Sequence, residues 1–257
     1  MIQDFHNGHV VSETHKGITT IEFFHPQSNS LPRRLLEDLA NEIHAAGSDD
    51  DTKVIVLRSG GEKAFCAGAS FNELATIEND RKGFEFFRGF ADVINALRVI
   101  PKLVIGRIHG KCIGGGVGLA AAVDYAIAVD LAEIRLSELS LGIGPFVIGP
   151  AVERKIGLSA FSHLAIDAAM WRSADWARRK GLYAELHDTV EGMDESVSRL
   201  ATQLAHTSPK AMAELKKVFW RGTEHWDELL YQRAEISGRL VVGEDTKAAI
   251  EKIRAKV

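Results

Sequence analysis

Apolar and polar residues follow two periods along this chain, and the switches between them mark out its elements. Val10-Val11-Ser12-Glu13-Thr14 and Ile18-Thr19-Thr20-Ile21-Glu22-Phe23-Phe24 flank Lys16-Gly17 and predict two strands around a tight turn. His25-Pro26-Gln27-Ser28-Asn29-Ser30 breaks the second strand. From Leu31 the spacing of Leu35, Leu36, Leu39 and Ile43 predicts a helix ending near Gly47, with Pro32 in the first turn, where proline is tolerated. Beyond the acidic corner Asp49-Asp50-Asp51, Val54-Ile55-Val56-Leu57 is a continuous apolar run, the pattern of a strand covered on both faces.

A small-residue turn over 59–74 follows this strand directly. A helix comes next, with Phe84, Phe87, Ala91, Ile94 and Leu97 on one face, an aromatic stripe read as core packing rather than a ligand wall. After Pro101, Leu103-Val104-Ile105-Gly106-Arg107-Ile108 is another strand, feeding Gly110-Lys111-Cys112-Ile113-Gly114-Gly115-Gly116 and then an alanine-rich helix. Two strand–turn–helix units in succession predict neighbouring turns of one right-handed winding, with both small-residue turns at the same sheet edge. Tyr125-Ala126-Ile127-Ala128-Val129 is a further strand, and Ile134-Arg135-Leu136-Ser137-Glu138 one that Glu138 closes, ahead of a neutral loop from Leu139 to Pro145.

The remainder reads as mostly helical. Gly157 and Gly181 look like helix stops, 184–191 a short strand, and Ser208-Pro209 an N-cap with proline at the first helical position. Helices are predicted through Trp220, over 226–240 and over 246–255. Trp220, Trp226, Leu229 and Leu230 present more apolar surface than this region is expected to hide, which predicts an oligomer interface there.

Composition narrows the class. With 257 residues, 46% of them hydrophobic, the chain can bury a full core. A formal net charge of -4, without a Lys/Arg run or an RNP-like aromatic motif, argues against a nucleic-acid partner. No apolar run approaches the ~18 residues of a membrane span, and residues 1–5 lack the basic start and apolar stretch of an export signal. A cytoplasmic protein without membrane contact is the expectation. Cys66 and Cys112 are too few for a disulfide framework, and the ten histidines form no metal-binding pattern, so no metal is expected.

Candidate chemistry centres on Gly114-Gly115-Gly116. Bare backbone opening a helix lets a ligand oxygen approach amides that already point outward. One use is dinucleotide binding: Gly116-Val117-Gly118-Leu119-Ala120-Ala121 fits the relaxed fingerprint, with Asp130 near enough to serve as its acidic residue, although the motif stands far from the chain's start. Another is an oxyanion hole, whose second amide would come from the earlier small-residue turn. A third reading is close helix–strand packing alone.

Ala64-Phe65-Cys66-Ala67-Gly68-Ala69, Gly110-Lys111-Cys112-Ile113-Gly114-Gly115-Gly116 and Ser137-Glu138-Leu139-Ser140-Leu141-Gly142 stand in the order and spacing of the enoyl-CoA hydratase/isomerase (crotonase) superfamily, and the chain resembles that family over nearly its whole length. The resemblance implies an α/β fold, a crotonase-like spiral of repeated ββα units over 1–195, and a helical region over 196–257 that builds homotrimers or dimers of trimers. It implies an acyl-CoA thioester as ligand, with coenzyme A part of the substrate and no separate cofactor.

By the same resemblance, the amides of Ala69 and Gly115 form the oxyanion hole and Glu138 is the acid/base beside the thioester. Ser28, Ser30, Ala67, Ser70, Phe71 and Gly114 match positions that hold CoA and the acyl root. Two departures stand out. Gly118 occurs where many hydratases carry a first glutamate, and Ser70 replaces a common aspartate. The Gly-Gly-Gly-Val-Gly-Leu-Ala and Ser-Glu-Leu-Ser-Leu-Gly-Ile segments look like a hydratase subgroup that includes methylglutaconyl-CoA hydratases of leucine breakdown. The expectation is hydration of a 2-enoyl-CoA, branched or carboxylated, with double-bond isomerisation as the alternative. A non-catalytic acyl-CoA binder is the alternative of another class.

Overall fold

The structure is a computed structural model and describes residues 8–254. Residues 1–5, His6 and Ala255, which enter the readings above, lie outside them.

Strands β1 (His9–His15) and β2 (Ile18–Phe24) pair antiparallel across Lys16 (φ 50°) and Gly17 (φ 81°), the two left-handed residues of a hairpin turn. In β2 the pleat alternates, so Thr19, Ile21 and Phe23 point into the core. Leu31 belongs to β3 (Ser30–Leu31), and α1 (Arg33–Ser48) starts after Pro32, which stands as an extended N-cap (φ -73°, ψ 161°) rather than inside the first turn. Leu35, Leu36, Leu39 and Ile43 form the buried stripe of α1.

The winding continues with β4 (Val54–Ser59), β5 (Ala64–Cys66), β6 (Gly68–Ala69), α2 (Phe71–Leu74) and α3 (Asp80–Val99). Its next turn is β7 (Leu103–Ile108), β8 (Lys111–Ile113) and α4 (Gly115–Ala122), followed by β9 (Tyr125–Val129), β10 (Ile134–Arg135) and a 3-10 turn at Glu138–Leu141. The long strands form one six-stranded sheet in the order β1-β2-β4-β7-β9-β11, parallel apart from β1. Strand β11 (Glu185–His187) is its last member, shorter than the predicted 184–191 because Thr189 already caps the next helix.

The short strands build two further sheets, β10-β8-β5 and β3-β6. The segments predicted as turns therefore contain strands of two or three residues, too short for a period of two to register in sequence. Glu138 opens the 3-10 turn instead of closing a strand, because pairing in β10 stops at Arg135.

The rest is helical: α5 (Gly149–Ile166), α6 (Ala174–Lys180), α7 (Val190–Ala205), α8 (Pro209–Phe219), α9 (Trp226–Val241) and α10 (Glu244–Arg254). Gly157 (φ 76°, ψ 158°) kinks α5 rather than ending it, whereas Gly181 (φ 90°) caps α6 in the left-handed conformation. Ser208 caps α8, its Oγ accepting from Ala211 N at 3.4 Å, with Pro209 next.

Trp220, Trp226 and Leu230, read from sequence as surplus apolar surface, are already buried within the chain itself. They are 8%, 6% and 0% exposed within the single chain, while Leu229 is half-buried against the core. The two indoles meet edge to face at 5.8 Å, and Trp220 Nε1 donates to Asp124 Oδ1 at 3.0 Å. The buried Lys216–Asp124 pair (2.9 Å) holds α8 against the start of β9, and α9 packs back along α3. The terminal helices thus hide that apolar surface on their own subunit. Among the described residues no helix is long and apolar enough to cross a membrane.

Candidate active site

Parallel pairing of β5 with β8, which sets Cys66 beside Cys112, carries the two glycine turns to one place. They touch so closely that a Cβ on Gly68 would lie 2.7 Å from Ile113 O and 3.2 Å from Gly115 N. Gly114 (φ 51°, ψ -117°) lies in a region that L side chains rarely adopt, and its N–H donates to Arg135 O at 2.9 Å. Helix α4 begins immediately after. Gly115 N–H therefore lies in a first turn, where an α-helix has no backbone acceptor to offer it.

Ala67, Gly68, Ala69 and Phe71 from the first turn line one cavity with Gly114, Gly115 and Glu138. Leu74, Phe87, Phe90, Leu141, Ile143, Phe146, Val147 and Ile148 make its walls apolar, and Ser237 reaches in from α9. A second, more polar groove adjoins it, sharing Ala67, Phe71, Ser137 and Leu141 and adding Gln27, Ser28, Ser30, Arg135 and Ser140.

Among the described residues Glu138 is the only carboxylate lining either space. Its Oε1 lies over the Gly114 turn, 2.8 Å from where a Cβ on Gly114 would stand, and its Oε2 is buried with no hydrogen-bond partner. Burial pushes its pKa up to about 7, against a bond from its own backbone N–H and the charge of Arg135. Near neutral pH such a carboxyl both gives and takes a proton readily. The loop beneath it is backed by α10, since a Cβ on Gly142 (φ 76°) would come 2.9 Å from Thr246 Oγ1.

Of the predicted residues, Ala67, Ala69, Phe71, Gly114, Gly115 and Glu138 converge on the cavity, and Ser28 and Ser30 line the groove. Ser70 does neither. It is 4% exposed, its N–H donates to Leu31 O (3.1 Å), and its Oγ caps α2 by accepting from Glu73 N (3.4 Å), so its polar groups are committed to the fold. Ala67 lines both spaces, but its N–H donates to Ser28 O at 3.1 Å. Ser28 and Asn29 are both left-handed (φ 54° and 57°), and Asn29 pins their loop by donating to Gly60 O (2.8 Å) and Ala64 O (2.9 Å).

At Gly118 a Cβ would collide with Ile148 Cγ2 and lie 2.6 Å from Ile148 Cβ. Ile148, 4% exposed, fills the space a side chain there would need. Sequence reasoning missed Phe90, Ile148, Ser237 and Arg135. Phe90 shares a helix with the stripe of Phe84 and Phe87, but Ser237 lies a hundred residues from Glu138 and nothing local marks it.

The model of the family described as "Enoyl-CoA hydratase/isomerase" matches residues 13–250. The chain belongs to the enoyl-CoA hydratase/isomerase family. A "Probable enoyl-CoA hydratase" of Bacillus subtilis is 26% identical over 236 residues, 91% of each chain. The mitochondrial methylglutaconyl-CoA hydratase of Mus musculus is 30% identical over 200 residues, 76% of this chain and 63% of that protein. An enoyl-CoA hydratase of Bacillus halodurans superposes with a TM-score of 0.86 at 23% identity, covering 95% of this chain and 99% of the other, which shows the shared fold. Within this family the protein is an enzyme whose α/β winding is the expected one, and an acyl-CoA thioester is consistent with membership.

Proposed function

We propose that the protein adds water across the double bond of a 2-enoyl-CoA, with Ala69 and Gly115 N–H as the oxyanion hole and Glu138 as the single acid/base. The supporting observation is the unpartnered, buried Glu138 Oε2 in the same cavity as two abutting glycine turns. Water attack at C3 moves negative charge onto the thioester oxygen, and one preorganised donor there is worth ~3 kcal/mol. Ionised Glu138 takes a proton from the attacking water, leaving hydroxyl on C3, and returns it to C2 as the enolate collapses. One carboxyl thus serves both halves of the addition, and the apolar walls keep its pKa where it can do so.

Ile148 against Gly118 favours a second reading, because it leaves no place for a further carboxylate to hold water. A double-bond isomerase needs one group to carry a proton between C2 and C4, and Glu138 suffices. Incubation with crotonyl-CoA, 3-methylglutaconyl-CoA and a 3-enoyl-CoA, read by product mass and chromatography, tests both. Hydrated product from the first two supports hydration, and positional isomers alone support the second reading. Binding without turnover across the panel contradicts both and fits a non-catalytic binder. The cycle needs no cofactor besides the CoA that the substrate carries. The family resemblance further supports a homotrimer or dimer of trimers built through 196–257, a point for light scattering.

A further inference from the structure

Strand β10 aims its two side chains to opposite sides. Ile134 is buried, whereas Arg135 lines the polar groove beside the acyl cavity. Paired backbone bonds between Ile134 and Arg172 (both 2.9 Å) bring the neighbouring Trp171 against this strand, and the Arg135 guanidinium lies over the Trp171 ring, 4.6 Å from its centroid. Lys111 lies over the same ring at 4.5 Å, but it is paired with Glu133 at 2.8 Å. Arg135 makes no ion pair with any described residue, and its Nε is buried without a partner. A stacked guanidinium keeps the N–H groups at its edge free, in a planar fork that suits phosphate oxygens.

Among the described residues the groove around it is lined by Ser28, Ser30, Ser137 and Ser140, with no carboxylate and no second cation. Neutral hydroxyl donors around one cation fit an oxyanion with several acceptors. The cavity on the other side of Ala67 and Leu141 is apolar apart from Glu138 and two serines, which favours an anion on the carrier end of the substrate over one on its acyl end.

We propose that Arg135, held flat by Trp171, binds a phosphate group of the substrate's carrier arm and so selects thioesters of a phosphorylated carrier over those of its unphosphorylated fragment. This rests on the reading that an acyl-CoA occupies the cavity. The shared chemistry is phosphate ester or diphosphate, whether covalently part of the ligand or free.

Calorimetry with the full chain tests it, using CoA, pantetheine and inorganic diphosphate against wild type, Arg135→Ala and Arg135→Lys. Loss of a charge-assisted hydrogen bond predicts that Arg135→Ala weakens CoA roughly 10- to 100-fold while pantetheine binding is unchanged, with Arg135→Lys between them. Unchanged CoA affinity in Arg135→Ala, or an equal loss for pantetheine, overturns the proposal. Inorganic diphosphate binding to wild type as tightly as CoA overturns the carrier-arm assignment. If CoA binding depends on Arg135 but no enoyl-CoA is turned over, the reaction fails and the phosphate site stands. Turnover with a Michaelis constant unmoved in Arg135→Ala is the reverse.

Discussion

Ile148 occupies the volume that any side chain at Gly118 would require, its Cβ only 2.6 Å from an ideal Cβ there. The pair is a steric unit: an isoleucine from the loop ahead of α5 closes the wall that a glycine in α4 leaves open. Gly118→Ala should destabilise the fold by ~1–3 kcal/mol through overpacking, and adding Ile148→Ala should not restore it, because alanine keeps the Ile148 Cβ contact and gives up a buried side chain, measured by urea melts. Equal stability of Gly118→Ala and wild type would show the wall to be soft.

Glu138 carries a folding cost of its own. An acid whose folded pKa is about 7, above its ordinary value of 4.5, keeps a proton on folding that the unfolded chain releases. Its burial is free below the unfolded pKa and penalised fully above the folded one, by at most ~3 kcal/mol. Glu138→Gln should therefore melt higher than wild type at pH 8, with the gap closing toward pH 4.5. A gap independent of pH would place the carboxyl in contact with solvent.

His109 pulls the other way. It is 6% exposed, both ring nitrogens lack partners, and burial, reinforced by Arg107, lowers its pKa to about 4. The unfolded chain takes up a proton near pH 6.5 that the folded one refuses, so stability falls between pH 6.5 and 4, by up to ~3 kcal/mol. His109→Leu should gain stability over wild type as pH drops from 8 to 5, checked by thermal melts at both values. Parallel pH dependence of the two proteins would remove His109 from acid sensitivity.

Gly114 tests the anion turn. With φ 51° and ψ -117°, and Glu138 Oε1 2.8 Å from its missing Cβ, Gly114→Ala should lose ~1–3 kcal/mol to backbone strain and displace the carboxyl as well. Turnover should fall far more than the remaining folded fraction explains, which circular dichroism and initial rates on one sample can separate.

The fold was largely legible because its long elements carry strong periods: the buried run 54–57, the stripe of α1 and the strand ahead of Gly110 all fall where the pattern places them. What stayed hidden depends on contacts across the chain. Strands β3, β5, β6, β8 and β10 are two or three residues long, and pairing alone defines them. Trp220 and Trp226 looked like surplus apolar surface because no local pattern shows that Asp124, a hundred residues earlier, satisfies an indole N–H and a buried lysine. Ser70 looked like a ligand contact because motif position fixes the neighbourhood, not the direction in which a hydroxyl points.

The claim on which the rest depends is that Glu138 moves the proton at C2 while the two glycine turns hold the developing oxyanion. Exchange of C2 protons of a saturated acyl-CoA into D2O, followed by NMR, reads that step without requiring net turnover. Wild type should exchange them, and Glu138→Gln should be slower by ~10²–10⁴-fold with acyl-CoA affinity retained. Equal exchange rates in the two proteins would contradict the account.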